Sequence, residues 1–166
     1  MRRAAALFAA LVLFAAIPAA ASGQAITVDE LETWSGMMDR FRYGPEGCPI
    51  LVGNVQDILG GIVAAAGSDT DTNWEWVEEL GRGVAGNTYY DAHPRTGEIR
   101  WDSENRPSTE LSEAERDRSP ENEFLWGVAH EAMHWVTPVE VRNGEIVDEH
   151  YGPDWERLDE CFLGPA

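Results

Sequence analysis

Apolar residues recur along this chain at two different spacings, which divide it into helices and strands. Leu31, Trp34, Met38 and Phe41 fall three or four apart, the interval of one helix face. Thr27 precedes them with Glu30 three residues on, the pattern of a capping box. This predicts a helix over about 28–42, stopped by Gly44-Pro45. Leu51, Val55, Ile58, Leu59 and Ile62 predict a second, buried helix over 50–66, weakened by Gly60-Gly61. Trp74, Val77 and Leu80 predict a short helix before Gly81. The pattern then turns β-prone. Residues 87–91 and 98–102, separated by Pro94 and Gly97, predict a hairpin. The polar stretch 105–119 reads as a loop. Ser119-Pro120-Glu121 opens a helix to about 136, ended by Pro138. Asn143-Gly144 between 139–141 and 145–147 predicts another hairpin. Gly152-Pro153 opens a last helix with Trp155, Leu158 and Phe162 on one face. The expected fold is α+β: a short antiparallel sheet or hairpins packed on a central helix, with several other helices around it.

The first residues stand apart from this pattern. Met1-Arg2-Arg3 is basic, residues 4–17 are wholly apolar, and Pro18 leads to Ala19-Ala20-Ala21. A basic start, a short apolar run and small residues make a secretory signal peptide over 1–21, cleaved before Ser22. Fourteen apolar residues are short for a membrane span, and no later segment is expected to cross a bilayer. The expected product is one domain, 22–166, secreted or periplasmic. Cys48 and Cys161 then enter an oxidising compartment and are expected to join the early part of the domain to its last helix. The alternative is two buried free thiols.

Charge narrows the partners. The chain of 166 residues has 30 acids and 12 basic residues, all arginine, for a net charge of −18. Without Arg2 and Arg3, ten arginines face thirty acids, which gives −20. Nucleic acid and anionic membrane surfaces are excluded as partners, because both call for clustered cations. Seven tryptophans suggest carbohydrate binding, but most sit at helical spacing and are expected in the core.

The chemistry lies in His130-Glu131-Ala132-Met133-His134, an HExxH sequence inside the helix expected over 119–136. Residues four apart share a helix face, so both imidazoles can meet one ion. Glu131, turned about 100° from His130, stands beside that ion as a general base. Phe124, Leu125, Val128, Met133 and Trp135 bury the helix, and polar groups inside it need partners. The bland alternative is a pair of satisfied core histidines with a surface glutamate. A catalytic zinc site needs a third protein ligand. The metzincin pattern does not supply it, since Thr137 and Glu140 stand where glycine and a ligand are required. Candidates downstream are Glu140, Glu145, Asp148, Glu149, His150 and Asp154.

Two resemblances bear on that choice. His150-Tyr151-Gly152-Pro153-Asp154-Trp155, sixteen residues beyond His134, resembles the stretch in SprT-like zinc proteases that carries a third His and opens the next helix. Here Tyr151 is inserted between His and Gly. The likeness covers about 125–162 and implies His130, His134 and His150 as metal ligands. SprT-like proteins act on DNA-associated substrates inside cells and carry basic surfaces, so this acidic chain takes from them the metal geometry alone. The segment 87–101 resembles secreted bacterial effector zinc peptidases, in which a Tyr-Tyr-Asp strand and an Ile-x-Trp strand precede the zinc helix. That likeness implies that strand 98–102 is an edge pairing with an extended substrate; the alternative is an ordinary hairpin that packs Trp101 in the core. It also keeps Asp148 and Asp154 as alternative ligands.

The expected protein is thus a monomeric, zincin-like zinc metallopeptidase acting on peptides or proteins, with Zn2+ on His130, His134 and His150 and with Glu131 as base. Tyr151, or less directly Tyr89 or Tyr90, is a candidate oxyanion donor. His93 reads as a solvated turn residue. The rival classes are a non-enzymatic exported binding module with a structural or vestigial zinc, and a zinc amidase acting on cell-wall peptides.

Overall fold

Thr27 caps the first helix as its spacing requires. Its hydroxyl accepts the Glu30 N–H at 3.2 Å, and the Glu30 carboxylate accepts the Thr27 N–H at 2.8 Å. In the computed structural model, which describes residues 23–67, 71–102 and 104–164, the chain orders as β1 (Gln24–Ala25), α1 (Val28–Met37), a 3₁₀ turn (Met38–Tyr43), α2 (Cys48–Ala66), β2 (Trp74–Val77), β3 (Gly86–Tyr89), β4 (Ser108–Ser112), α3 (Glu113–Arg118), α4 (Glu121–Met133), β5 (Glu140–Arg142), β6 (Glu145–Asp148) and α5 (Pro153–Phe162). The fold is α+β. The expected signal peptide lies outside the described residues.

One sheet has the order β1-β2-β4-β3, and β5-β6 form a separate hairpin. The expectation of an antiparallel sheet is corrected to a mixed one, because β2 and β4 run parallel. Three further expectations change. Residues 74–77 are strand rather than helix: Trp74 and Trp76 are buried while Glu75 and Val77 are half-buried, a period of two that the threefold spacing of Trp74, Val77 and Leu80 masked. The stretch 105–119 is not a loop, since it holds β4 and α3. Ser108-Thr109-Glu110-Leu111-Ser112 looks polar but occupies the inside of the sheet. Its Thr109 hydroxyl bonds the Thr88 hydroxyl at 2.8 Å and accepts Trp135 Nε1–H at 2.9 Å. Finally, 98–102 meets 87–91 at one point, where Arg100 N–H donates to Asp91 O at 2.8 Å, rather than along a ladder. β3 pairs with β4, and 91–100 folds into a tight turn closed by the single bridge Ala92–Ile99. His93 belongs to that turn, its Nδ1 accepting the Arg95 and Thr96 N–H groups at 3.3 and 3.2 Å.

The core forms where the helices meet the sheet. Trp34, Trp76 and Phe124 lie within 5.3–6.2 Å of one another, and Trp135 contacts Trp74 at 6.3 Å and Trp101 at 5.2 Å. Most tryptophans are therefore packing residues, as their spacing suggested. By length and composition α2 could cross a bilayer, contrary to the expectation that no later segment could. Its Leu51, Val52, Val55, Leu59 and Ile62 are buried in this core, and Gln56 bonds Ser35 O at 2.6 Å and Asp39 at 2.8 Å. Cys48 at the start of α2 is bonded to Cys161 in α5, with a Cα separation of 5.5 Å.

The turn over 91–100 is seated against the chain that leaves α4. Val139 N–H donates to Gly97 O at 3.0 Å. Gly97 has φ +71°, and a Cβ there would lie 1.9 Å from Val139 O. Neither the backbone conformation nor the space admits a side chain. Gly97→Ala is expected to destabilise the fold by on the order of 3 kcal/mol, seen as a lower midpoint in urea unfolding. An unchanged midpoint would contradict this seating.

Candidate metal centre

Helix α4 brings the two histidines of HExxH together. Leu125, Val128, Ala129, Ala132 and Met133 bury one side of the helix. The regular helix ends at Met133, three residues earlier than expected. His134 is its C-cap, with φ −62° and ψ −16°, so the helical register carries through it and keeps it on the face of His130. His134 is only 6% exposed and His130 is half-buried. The third histidine arrives by a hairpin. Asn143 and Gly144, both at positive φ, reverse the chain between β5 and β6. Asp148 at the end of β6 accepts the His150 N–H at 2.9 Å and bends the segment back.

His130, His134 and His150 thereby converge. Each offers a ring nitrogen within 4.8 Å of the others. Their ring centres stand 5.0, 4.8 and 5.2 Å apart. Three imidazoles on one tetrahedral ion, with metal–nitrogen bonds of about 2.0–2.1 Å, hold their ring centres about 5 Å apart. The side chains are thus spaced to hold a metal ion. Their protonation suits it too. Burial, followed by the neighbouring histidines and opposed by Asp159, pushes His130 down to about 3. Burial and His150 push His134 down to about 4. Both rings are therefore neutral near pH 7, with a lone pair free for an ion. His134 Nδ1 is buried without a hydrogen-bond partner among the described residues. Trp155, from the first turn of α5, packs its indole 4.7–5.1 Å from all three imidazoles.

Glu131 faces the sheet rather than solvent and is 5% exposed. Its carboxylate accepts the Thr88 hydroxyl at 2.7 Å. Burial lifts it to about 7, against the opposing pull of that bond. Gly86, two residues back on the same face of β3, makes room: a Cβ there would lie 2.6 Å from Glu131 Cγ. Removing the hydroxyl in Thr88→Val leaves a buried carboxylate and the Thr109 hydroxyl each short of a partner. The expected cost is about 1–3 kcal/mol, read by urea unfolding. A variant as stable as the parent would show that this bond does not hold Glu131.

Tyr90 lies parallel to the His134 ring at 5.8 Å. Its hydroxyl is buried and unpartnered among the described residues. Burial and the nearby Glu149 carboxylate, which stops short of hydrogen-bond geometry, raise its pKa. Tyr151 is instead 55% exposed, and Tyr89 donates to Glu110 at 3.1 Å. The carboxylates weighed as ligands have other surroundings. Asp148 holds the His150 backbone. Asp154 lines a separate cavity with Leu51, Val55 and Met133. Glu140 pairs with Arg142 at 2.7 Å, and Glu145 is exposed on β6.

Sequence reading missed Gly86, Thr88 and Trp155 as parts of the centre. Gly86 and Thr88 alternate along one strand face, a signal present in the chain. That this face meets Glu131 depends on β3 lying beside α4. No protein-family model, curated protein or solved structure matches the chain.

Proposed function

We propose that this chain is an exported, zinc-dependent metallopeptidase with a zincin-like arrangement, secreted or periplasmic and monomeric. The observation that carries the reading is the convergence of His130, His134 and His150 with Glu131 held alongside. Three neutral nitrogen ligands suit zinc, and a three-ligand set leaves a fourth position for water or substrate. Zinc at such a site acidifies water and polarises a carbonyl. The chain's own part falls to Glu131. Its carboxylate takes the proton from the attacking water and delivers it to the leaving amine. A buried carboxylate lifted towards neutral pH suits both transfers. The Thr88 hydroxyl fixes its direction, and Tyr90 offers a hydroxyl near the centre. In 98–102, the strand expected to pair with substrate, Ile99 instead bridges Ala92 of the same chain. That role passes to β3, the outer strand of the sheet beside Glu131.

The test is metal content together with activity. The purified chain from Ser22 onward is expected to hold one zinc by elemental analysis. A chelator should abolish peptide hydrolysis, and zinc should restore it. Absence of stoichiometric zinc would sink the proposal.

One observation favours a second reading. Trp155 lies equally close to all three imidazoles, and an indole covering the fourth position would make the metal structural. Cobalt substitution separates the two. A visible spectrum that shifts on adding a hydroxamate means an open position; an unresponsive spectrum, with unfolding on metal removal, means a closed one.

A further inference from the structure

We propose that the cavity beside His130 and His150 receives a cationic side chain, arginine or lysine, of an extended peptide substrate. This rests on the metallopeptidase reading and names the substrate class of the same site. The cavity measures about 340 Å³ and is lined by Trp126, His130, His150, Trp155, Glu156 and Asp159. Trp126 and His130 come from one face of α4, and Trp155, Glu156 and Asp159 come from α5 opposite. Two metal-ligand candidates thus form one wall, so whatever enters lies next to the reacting bond.

The other walls are built for a cation. Trp126 Nε1–H donates to Asp159 Oδ1 at 2.8 Å. That bond fixes both the indole and the carboxylate, and leaves the second Asp159 oxygen available. Glu156, three residues earlier on the same helix face, adds another carboxylate. Indole faces attract a cation through their ring electrons. Trp155, another lining residue, is 8% exposed, and its N–H is buried without a partner among the described residues. No arginine lines the cavity. On the far side of Trp126 an adjoining cavity of about 350 Å³ adds Glu115 and Glu123, so an extended chain crossing Trp126 meets carboxylates on both sides. Glu115 is already engaged by the Gly83 N–H at 3.1 Å and by Arg118 at 3.4 Å, and Glu156 and Asp159, which line the cavity beside the histidines, are the chief anchors. The charge of a metal on the histidines repels a cation, and these two carboxylates offset that repulsion.

The experiment uses the full mature chain carrying Glu131→Gln, so that peptides bind without being consumed. Short peptides with arginine at successive positions are compared with the same peptides carrying citrulline, which keeps the shape and loses the charge. Binding is read by tryptophan fluorescence and calorimetry. At the best position arginine is expected to bind about tenfold tighter than citrulline, the preference shrinking with added salt. Adding Glu156→Gln and Asp159→Asn should bring the ratio close to one. Glu32→Gln, an exposed change on α1, should leave it intact and so removes general acidity as the cause. Equal binding of the two peptides overturns the proposal. So does a preference that survives the double change, and so does loss of zinc from the double variant, which would assign the carboxylates to the metal. Hydrolysis by the unaltered chain distinguishes the two readings. Arginine preference without any cleavage overturns the peptidase reading and leaves the cavity's, whereas cleavage of both peptides alike does the reverse.

Discussion

Glu131→Gln is expected to keep its zinc and its fold while peptide hydrolysis falls by about 10²–10⁴-fold. The amide has the size of the carboxylate, and its oxygen can still accept the Thr88 hydroxyl, now at 2.7 Å from Glu131. What the amide cannot do is take a proton. The three imidazoles are untouched, so metal content should be unchanged. The measurement is kcat on a peptide substrate set beside zinc per chain and the unfolding midpoint. Full activity in this variant would remove Glu131 from the mechanism. Loss of zinc or of stability would instead make it a structural group.

The second large effect concerns the disulfide. Cys48–Cys161 spans 113 residues and ties α2 to α5. A cross-link closing a loop of that length restricts the unfolded chain, and replacing both cysteines by alanine should cost about 4 kcal/mol. For a domain of this size the melting temperature should drop by on the order of 10 °C. The damage should reach the centre as well, because α5 carries Trp155, which packs on all three imidazoles. Zinc should therefore be lost to a chelator more readily in the double variant, and in parent protein treated with reductant. A double variant melting within about 2 °C of the parent would show that the packing of α5, not the bond, holds it in place.

The candidate site was legible in part, for a local reason. HExxH is a short-range pattern: its two histidines are set side by side by helix geometry, whatever the rest of the chain does. His150 lies sixteen residues from His134, and only a resemblance preferred it to the nearby carboxylates. The hairpin that delivers it was announced by Asn143-Gly144, whose positive φ angles few other residue pairs adopt. Gly86 and Thr88 alternate on one strand face in the sequence, but that this face and Trp155 meet the centre depends on residues far away along the chain.

The fold divides in the same way. The capping box at Thr27, the apolar face of α2 and the proline that opens α5 act over three or four residues, and their elements form where the sequence places them. The differences fall on the sheet and on the short helix α3. In β2 three apolar residues match a helical interval by chance, which hides its period of two. β4 was taken for a loop because its polar hydroxyls gave no apolar signal. Those hydroxyls are polar for each other: Thr109 with Thr88 and with the Trp135 indole. By itself, the sequence determined the four long helices and the two close-set histidines with Glu131 beside them, and it favoured the disulfide over two free thiols. Only the tertiary structure decided which strands pair, which hydroxyl holds Glu131 and which indoles wall the cavity, because such contacts depend on long-range burial.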